Sequence, residues 1–298
     1  MSFNQPITDL IRRRVSCRSY TKEPLRASDR QRLADFVAAS PSGPFGSPVR
    51  IELVAATGQD NKALRGLGTY GFIKGATAFL IGAIGPGERN LEDLGYLMER
   101  IVLYATDLGL GTCWLGGSFT KSNFARRIAI REGERVPAVV AAGYPAPRRG
   151  TVDSMVRQIA HAHQRLPAEQ LFFDRTFGVP LRLAETGDLA LALEMVRLAP
   201  SASNKQPWRI IKEDQGWHFY LQRTKGYREG RIMRLLKIDD MQRIDMGIAM
   251  CHFALTAAEL GLQGQWEQRE PPLEKPDERT EYIISWVSSA QSTAAEPL

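Results

Sequence analysis

Asp93-Leu-Gly-Tyr-Leu-Met-Glu-Arg-Ile-Val-Leu-Tyr-Ala-Thr-Asp-Leu-Gly-Leu-Gly111 aligns without a gap on Asp245-Met-Gly-Ile-Ala-Met-Cys-His-Phe-Ala-Leu-Thr-Ala-Ala-Glu-Leu-Gly-Leu-Gln263, at a shift of 152 positions. The Asp, the Gly two residues on, a Met, a Leu, an Ala, the closing Leu-Gly-Leu and then Trp114 and Trp266 coincide. Self-similarity over so long a stretch, present in two copies, marks a duplicated unit rather than a solenoid. Apolar residues recur at three- and four-residue steps in both copies. Leu94, Leu97, Met98, Ile101, Ala105 and Leu108 do so in the first, and Met246, Ala249, Met250, Phe253, Ala257 and Leu260 in the second. That spacing predicts a helix in each, ended by Gly109 or Gly261, with the apolar stripe as core.

Around these helices, β-rich runs recur in matching order. They are Arg50 to Ala56, Thr77 to Ile84 and Pro137 to Gly143, then Trp208 to Lys212, Trp217 to Leu221 and Glu281 to Val287. The predicted class is therefore α+β: two tandem copies of a small mixed sheet flanked by helices, over residues 1–150 and 151–298. The 298 residues suit two such units. The connection falls between Pro145 and Leu171, where Ala146-Pro-Arg-Arg-Gly150 breaks structure and Val152 to Gln164 is expected to form a crossover helix. The Ala- and Ser-rich end from Ser288 reads as a frayed tail.

Composition excludes several classes. A hydrophobic fraction of 43% and a charged fraction of 24% describe an ordinary globular chain. The net charge of +6 comes from scattered Lys and Arg with no groove-reading motif, so an anionic cofactor or an unspecialised basic surface explains it better than nucleic acid. Cys17, Cys113 and Cys251 have no metal or disulfide spacing, and His161, His163, His218 and His252 form no ligand set. With no apolar leader and no apolar run of about 18 residues, a cytoplasmic location is expected, without membrane or nucleic-acid partners.

The two copies also differ, and in opposite senses. Arg14-Val-Ser-Cys-Arg18 and the glycine-rich Gly111-Thr-Cys-Trp-Leu-Gly-Gly117 belong to the first copy only. Pro200-Ser-Ala-Ser-Asn-Lys-Gln-Pro-Trp208 belongs to the second, its counterpart Pro41-Ser-Gly-Pro-Phe-Gly-Ser-Pro-Val49 having lost the Asn, Gln and Trp. Aligning the Pro-Ser pairs sets Phe173, Arg175 and Phe177 opposite Arg14, Ser16 and Arg18.

Together with Ala142-Gly-Tyr-Pro145, these motifs resemble the FMN-dependent nitroreductase family over Ile7 to about Val287, in the family's order. In that family a flavin lies between two subunits, one giving a phosphate clamp and glycine-rich strand, the other a loop against the ring. The resemblance implies a fused pseudo-dimer with one surviving pocket in a chain that is monomeric. Arg14, Ser16 and Arg18 would hold the phosphate, since a guanidinium fork matches its oxygens. Arg148 or Arg149 would add a further cation. Pro200, Ser201, Ser203, Asn204 and Gln206 would meet the ring, and Thr112, Cys113, Gly116 and Gly117 would offer backbone N–H groups at its reactive edge.

Each motif also has a plainer reading. Arg12 to Arg18 is also a solvated basic helix end, Pro-Ser-x-Ser-Asn is good turn chemistry, and Cys113 suits packing. Asp93 and Asp245 are expected to act on helix N-termini rather than in acid/base chemistry. The implied function is an oxidoreductase passing electrons from NAD(P)H through FMN to a nitroaromatic, quinone or similar acceptor, with no protein residue required as acid or base. The alternatives are a flavin-binding sensor or store without efficient turnover, and a degenerate interaction protein.

Overall fold

The computed structural model describes residues 2–58, 62–147, 164–214, 216–227 and 238–288. Arg148, Arg149, His161, His163, the expected crossover helix up to residue 163 and the tail beyond 288 lie outside them, as does the boundary set between 150 and 151. Each of the six β-rich runs is a strand. In the first sheet β1 (Val49–Ala55), β2 (Ala78–Ile84), β3 (Gly111–Leu115) and β4 (Val139–Gly143) are antiparallel in the order β1-β2-β4-β3. In the second, β6 (Trp208–Glu213), β7 (Gly216–Gln222), β8 (Gly264–Glu267) and β9 (Thr280–Ser288) repeat that order as β6-β7-β9-β8. A short strand β5 (Phe172–Asp174) adds to it, parallel to β6.

Six helices are described: α1 (Ile7–Arg13), α2 (Ala27–Ala38), α3 (Asn90–Asp107), α4 (Lys121–Arg127), α5 (Leu189–Arg197) and α6 (Met241–Glu259). The duplicated stretches are α3 and α6. Both end as their glycines predict, Gly109 at φ 77° and Gly261 at φ 74°, with Leu110 and Leu262 N–H bonded back to Ala105 and Ala257. The pair packs between the two sheets, and one core runs through Leu94, Met98 and Ile101 into Met246, Met250 and Phe253.

Two glycines set this crossing. A Cβ on Gly95 would lie 2.1 Å from the Ile244 carbonyl oxygen, and one on Gly247 1.9 Å from that of Glu92. The 152-residue shift carries Gly95 onto Gly247 and Glu92 onto Ile244, so the contact is reciprocal, as across a two-fold interface. Arg243 of the second half pairs with buried Glu92 at 2.7 Å, and Arg89 of the first with Glu281 at 2.7 Å. Burial nonetheless pushes the Glu92 carboxyl upward against the pull of Arg243. Among the described residues no helix is long and apolar enough to cross a membrane.

The alignment of Phe173, Arg175 and Phe177 with the Arg14–Arg18 motif does not hold in three dimensions. Residues 16–20 run beside β3 and β4, Ser16 bridging Thr112 and Tyr20 bridging Pro145, whereas Phe172–Asp174 sits on β6 at the opposite edge of its sheet. Phe172 and Phe173 are buried there, and burying two aromatic rings favours a sheet edge over an open loop. The second half therefore lacks a counterpart of the Arg14–Arg18 segment at this place because its chain runs elsewhere, not because its residues changed in place.

Candidate functional site

α1 delivers the first motif, and the second half holds α1. Glu259 of α6 accepts from the Ile7 amide and, at 2.9 Å, from Thr8 Oγ1, so a carboxylate from one half caps a helix of the other. Arg14 leaves the helix in extended conformation at φ −60° and ψ 122°. Cys17 N–H then donates to Thr112 O at 2.8 Å, and Lys74 N–H to Arg18 O at 2.9 Å. In extended backbone, residues two apart share a side, so an Arg-x-Ser-x-Arg spacing suits a single face.

Arg14 is buried, with Nε 3.8 Å from Glu99 Oε1. Glu99, on α3, is itself buried and takes two further partners: Trp114 Nε1 of β3 at 2.7 Å and His252 Nε2 of α6 at 3.1 Å. One carboxyl thus joins the arginine motif, the glycine-rich strand and the second half. The sequence marks Glu99 in no motif and gives His252 no ligand set. The signal for Glu99 is its place four residues after Gly95, on the helix face that meets α6.

The second motif forms a tight loop before β6. Ser203, Asn204 and Gln206 all have positive φ, of 50°, 55° and 50°, a costly conformation for residues with a Cβ. The loop is tied down on all sides. Ser201 Oγ accepts the Gln206 amide at 2.9 Å, buried Asp245 accepts the Ala202 amide at 2.9 Å, and Arg209 Nη1 donates to the Gln206 carbonyl at 3.0 Å. Burial pushes Arg209 down to about 10. Asp245 is the fifth residue of α6, so it anchors a loop rather than a helix N-terminus; Asp93 does lie in the first turn of α3, yet it too accepts loop amides, from Phe45 and Ser47.

The connection between the halves returns to this loop. Arg165 Nη1 donates to Asn204 Oδ1 at 3.1 Å, Asn204 Nδ2 to the Gln164 carbonyl at 2.8 Å, and Leu166 N–H to Gln206 Oε1 at 2.9 Å. Arg165 is pushed down to about 10, first by burial and then by the nearby charges of Arg14 and Arg197. Arg165 therefore stands between the two motifs, and no sequence pattern had marked it.

On β3, Thr112 and Cys113 are buried beside the Arg14–Arg18 segment. The strand leads to Gly116 and Gly117, and the space above both is used by the second half. A Cβ on Gly116 would lie 2.1 Å from Met241 Sδ, and one on Gly117 3.0 Å from Ile238 Cδ1. A cavity of about 490 Å³ opens beside Arg13, Arg14, Val15, Cys17 and Ser19. It lies on the Cys17 side of the segment, and its described lining includes neither Ser16, Arg18 nor the loop of the second half. No group of His, Cys, Asp and Glu among the described residues could hold a metal ion.

Residues 6–257 match the profile of a family described as "Putative TM nitroreductase". The crystal structure of a putative nitroreductase from Thermotoga maritima superposes with a TM-score of 0.59 at 19% identity, covering 96% of this chain and 95% of that one. Shorter chains match about half of it. An FMN-bound nitroreductase from Bacteroides fragilis covers 49% of this chain and 92% of its own at 20% identity and a TM-score of 0.39. A putative nitroreductase in complex with FMN from Desulfovibrio desulfuricans covers 51% and 95% at 23% identity and 0.38. No curated protein matches the chain.

Proposed function

This chain belongs to the nitroreductase family, and on that footing we propose that it is a monomeric, cytoplasmic FMN-dependent oxidoreductase, a fused pseudo-dimer with one flavin site. The observation that carries this reading is Arg165, which bonds Asn204 of the second half's loop while its charge is felt against Arg14 of the first half's clamp. One cation thereby bonds the second motif and feels the charge of the first, almost two hundred residues away.

The donor set fits FMN. Arg14 and Arg165 are cations near enough for the charge of one to depress the other, an arrangement that a phosphate dianion relieves, and Arg18 and Ser16 would add a second guanidinium and a hydroxyl. Asn204 and Gln206 carry amides that match the donor and acceptor edge of the flavin pyrimidine, on a loop whose strained backbone is held by Asp245 and Arg209. Thr112 to Gly117 would supply backbone N–H groups from the first half. When bound, FMN supplies hydride acceptance from NAD(P)H and electron delivery to a nitroaromatic or quinone; the protein binds it, orients it and excludes water.

Flavin quantification on the purified protein, with light scattering, is expected to give one FMN per monomer. NADH or NADPH added without oxygen should bleach the flavin, and a nitroaromatic should restore the colour. Two flavins per chain would sink the single-site reading, and a bound flavin that neither nicotinamide reduces would leave a flavin-binding protein without turnover.

A further inference from the structure

β1 and β2 are joined by residues 56–77, whereas their counterparts β6 and β7 are joined by residues 214–215 alone. A long connection where the duplicated scaffold manages with so short a one is commonly a binding loop. Its Leu64, Leu67, Ile73 and Ala76 pack with Phe79 and Phe124, on the face of the first sheet turned away from α3 and α6. A cavity of about 620 Å³ remains there. Leu64, Leu67, Ile73 and Phe79 give it an apolar floor, and its described lining holds no Asp or Glu. That lining shares no residue with Arg14–Arg18, Thr112–Gly117 or Pro200–Trp208.

Two exposed cations, Lys22 and Arg65, line the cavity above this floor. The Arg65 carbonyl accepts Arg127 Nη2 at 2.9 Å, which ties this corner of the connection to α4. Lys22 has φ 69°, the left-handed region that is costly for a residue with a Cβ. Its neighbours hold it there: Thr21 N–H donates to the Tyr144 carbonyl at 3.0 Å, and the Glu23 carbonyl accepts Thr77 Oγ1 at 2.9 Å. The Lys22 stem crosses Gly75, where a Cβ would lie 3.0 Å from Lys22 Cγ, so the glycine leaves room for the lysine against the cavity. No described carboxylate pairs with Lys22 or Arg65. Lys62 also lines the cavity and has an interaction of its own.

An apolar floor beneath two cations suits a ligand that is apolar at one end and anionic at the other. An inorganic anion would leave the floor without contacts, and a neutral ring would leave both charges without a counter-ion. We propose that this cavity is a second binding site, for a small carboxylate with an apolar body the size of naphthalene. Lys22 and Arg65 meet the charge, and Leu64, Leu67, Ile73 and Phe79 meet the body. The site does not depend on the flavin.

The test titrates the full chain, with FMN added, with naphthoate, its neutral amide and acetate, following Leu and Ile methyl NMR signals and flavin absorbance together. Naphthoate should shift the methyls of Leu64, Leu67 and Ile73 and leave the absorbance unchanged. Acetate, without a body for the floor, should bind at least about tenfold more weakly. Lys22→Gln and Arg65→Gln should each weaken naphthoate up to about fivefold, the scale of one exposed ion pair, and leave the amide unchanged. The double variant should bind acid and amide alike. A folded double variant that binds naphthoate as tightly as wild type overturns the proposal, as does a wild type that binds the amide or acetate as tightly as the acid. An absorbance change without shifts at these methyls would place naphthoate against the flavin and overturn it too. If no flavin binds, the flavin reading fails and the methyl shifts decide this site alone. Should the double variant not fold, salt decides on the wild type: naphthoate binding that weakens as salt rises supports the two cations, and salt-independent binding overturns them.

Discussion

Asp93 and Asp245 occupy the same position in the duplicated helices, and each sits behind the loop that enters its sheet. Asp93 accepts two loop amides, Phe45 N–H at 3.0 Å on one oxygen and Ser47 N–H at 2.7 Å on the other. Among the described residues Asp245 accepts only Ala202 N–H, at 2.9 Å, and its other oxygen is buried without a hydrogen-bond partner. The cause is a single methyl. Asp93 Oδ1 lies 2.3 Å from where a Cβ on Gly43 would stand, and the residue aligned with Gly43 in the second half is Ala202. The Ala202 side chain denies Asp245 that approach, and the loop turns instead through the positive-φ residues Ser203, Asn204 and Gln206. The duplicated scaffold has been kept while one loop was released to present polar side chains.

The strongest way to break this comparison is at the shared scaffold. Gly247→Ala would set a methyl 1.9 Å from the Glu92 carbonyl oxygen, where rigid helix backbone cannot yield. The expected loss is about 3 kcal/mol, at the upper end for overpacking, with Gly95→Ala close to it because the contact is reciprocal. Urea unfolding measures both. A Gly247→Ala protein of unchanged stability would mean that α3 and α6 slide freely, and the reciprocal crossing would lose its structural role.

A smaller effect is expected at the first half's anchor. Asp93→Asn replaces one acceptor oxygen by an NH2 group that faces an amide N–H, so about 1–3 kcal/mol should be lost. Burial already raises the Asp93 carboxyl, opposed by the bonds from Phe45 and Ser47. Thermal melts of Asp93→Asn beside wild type check this, and equal melting temperatures would show that the two amides do not depend on the carboxylate.

What the sequence made legible follows from range. The helices, their glycine stops and six strands were readable because periodicity and capping act within a few residues. The Arg14–Arg18 and Pro200–Trp208 segments were recognisable because, with the glycine-rich strand, they follow a family's order, the arginine spacing alone being common. The site's connections were not. Glu99 and His252 meet across 153 positions, and nothing local marks either as a partner of Arg14. Arg165 sits in a connecting segment without periodicity, and it is the fold that brings it against Asn204. Phe173, Arg175 and Phe177 were set against the Arg14–Arg18 motif by carrying the Pro-Ser offset back along the chain, and an offset says nothing of which sheet edge a segment joins. The misreading of Asp245 had a simpler source: its helix starts at Met241, one residue earlier than the alignment with α3 implies, which puts Asp245 fifth in the helix where Asp93 is fourth.

The smallest expected effect, of opposite sign, is at Asp245. Burial holds its carboxyl well above the ordinary range, opposed only by the Ala202 amide, with Asp240 adding to the rise. A raised folded-state value means that the folded protein retains this proton where the unfolded chain has released it. Its contribution to stability is complete below the unfolded value of about 3.9 and declines as pH rises through the folded value. At neutral pH the wild type therefore bears a buried carboxyl with one oxygen unsatisfied. Asp245→Asn keeps an acceptor for Ala202 N–H and removes the ionisable group, so it should gain up to about 1 kcal/mol at neutral pH. The gain should shrink as pH falls below about 3.9, where the wild-type carboxyl becomes protonated in both states. Melting temperatures of the two proteins across that range test the sign directly. A loss at neutral pH as large as that of Asp93→Asn would mean that Asp245 is satisfied as its counterpart is, and the contrast between the two loops would disappear.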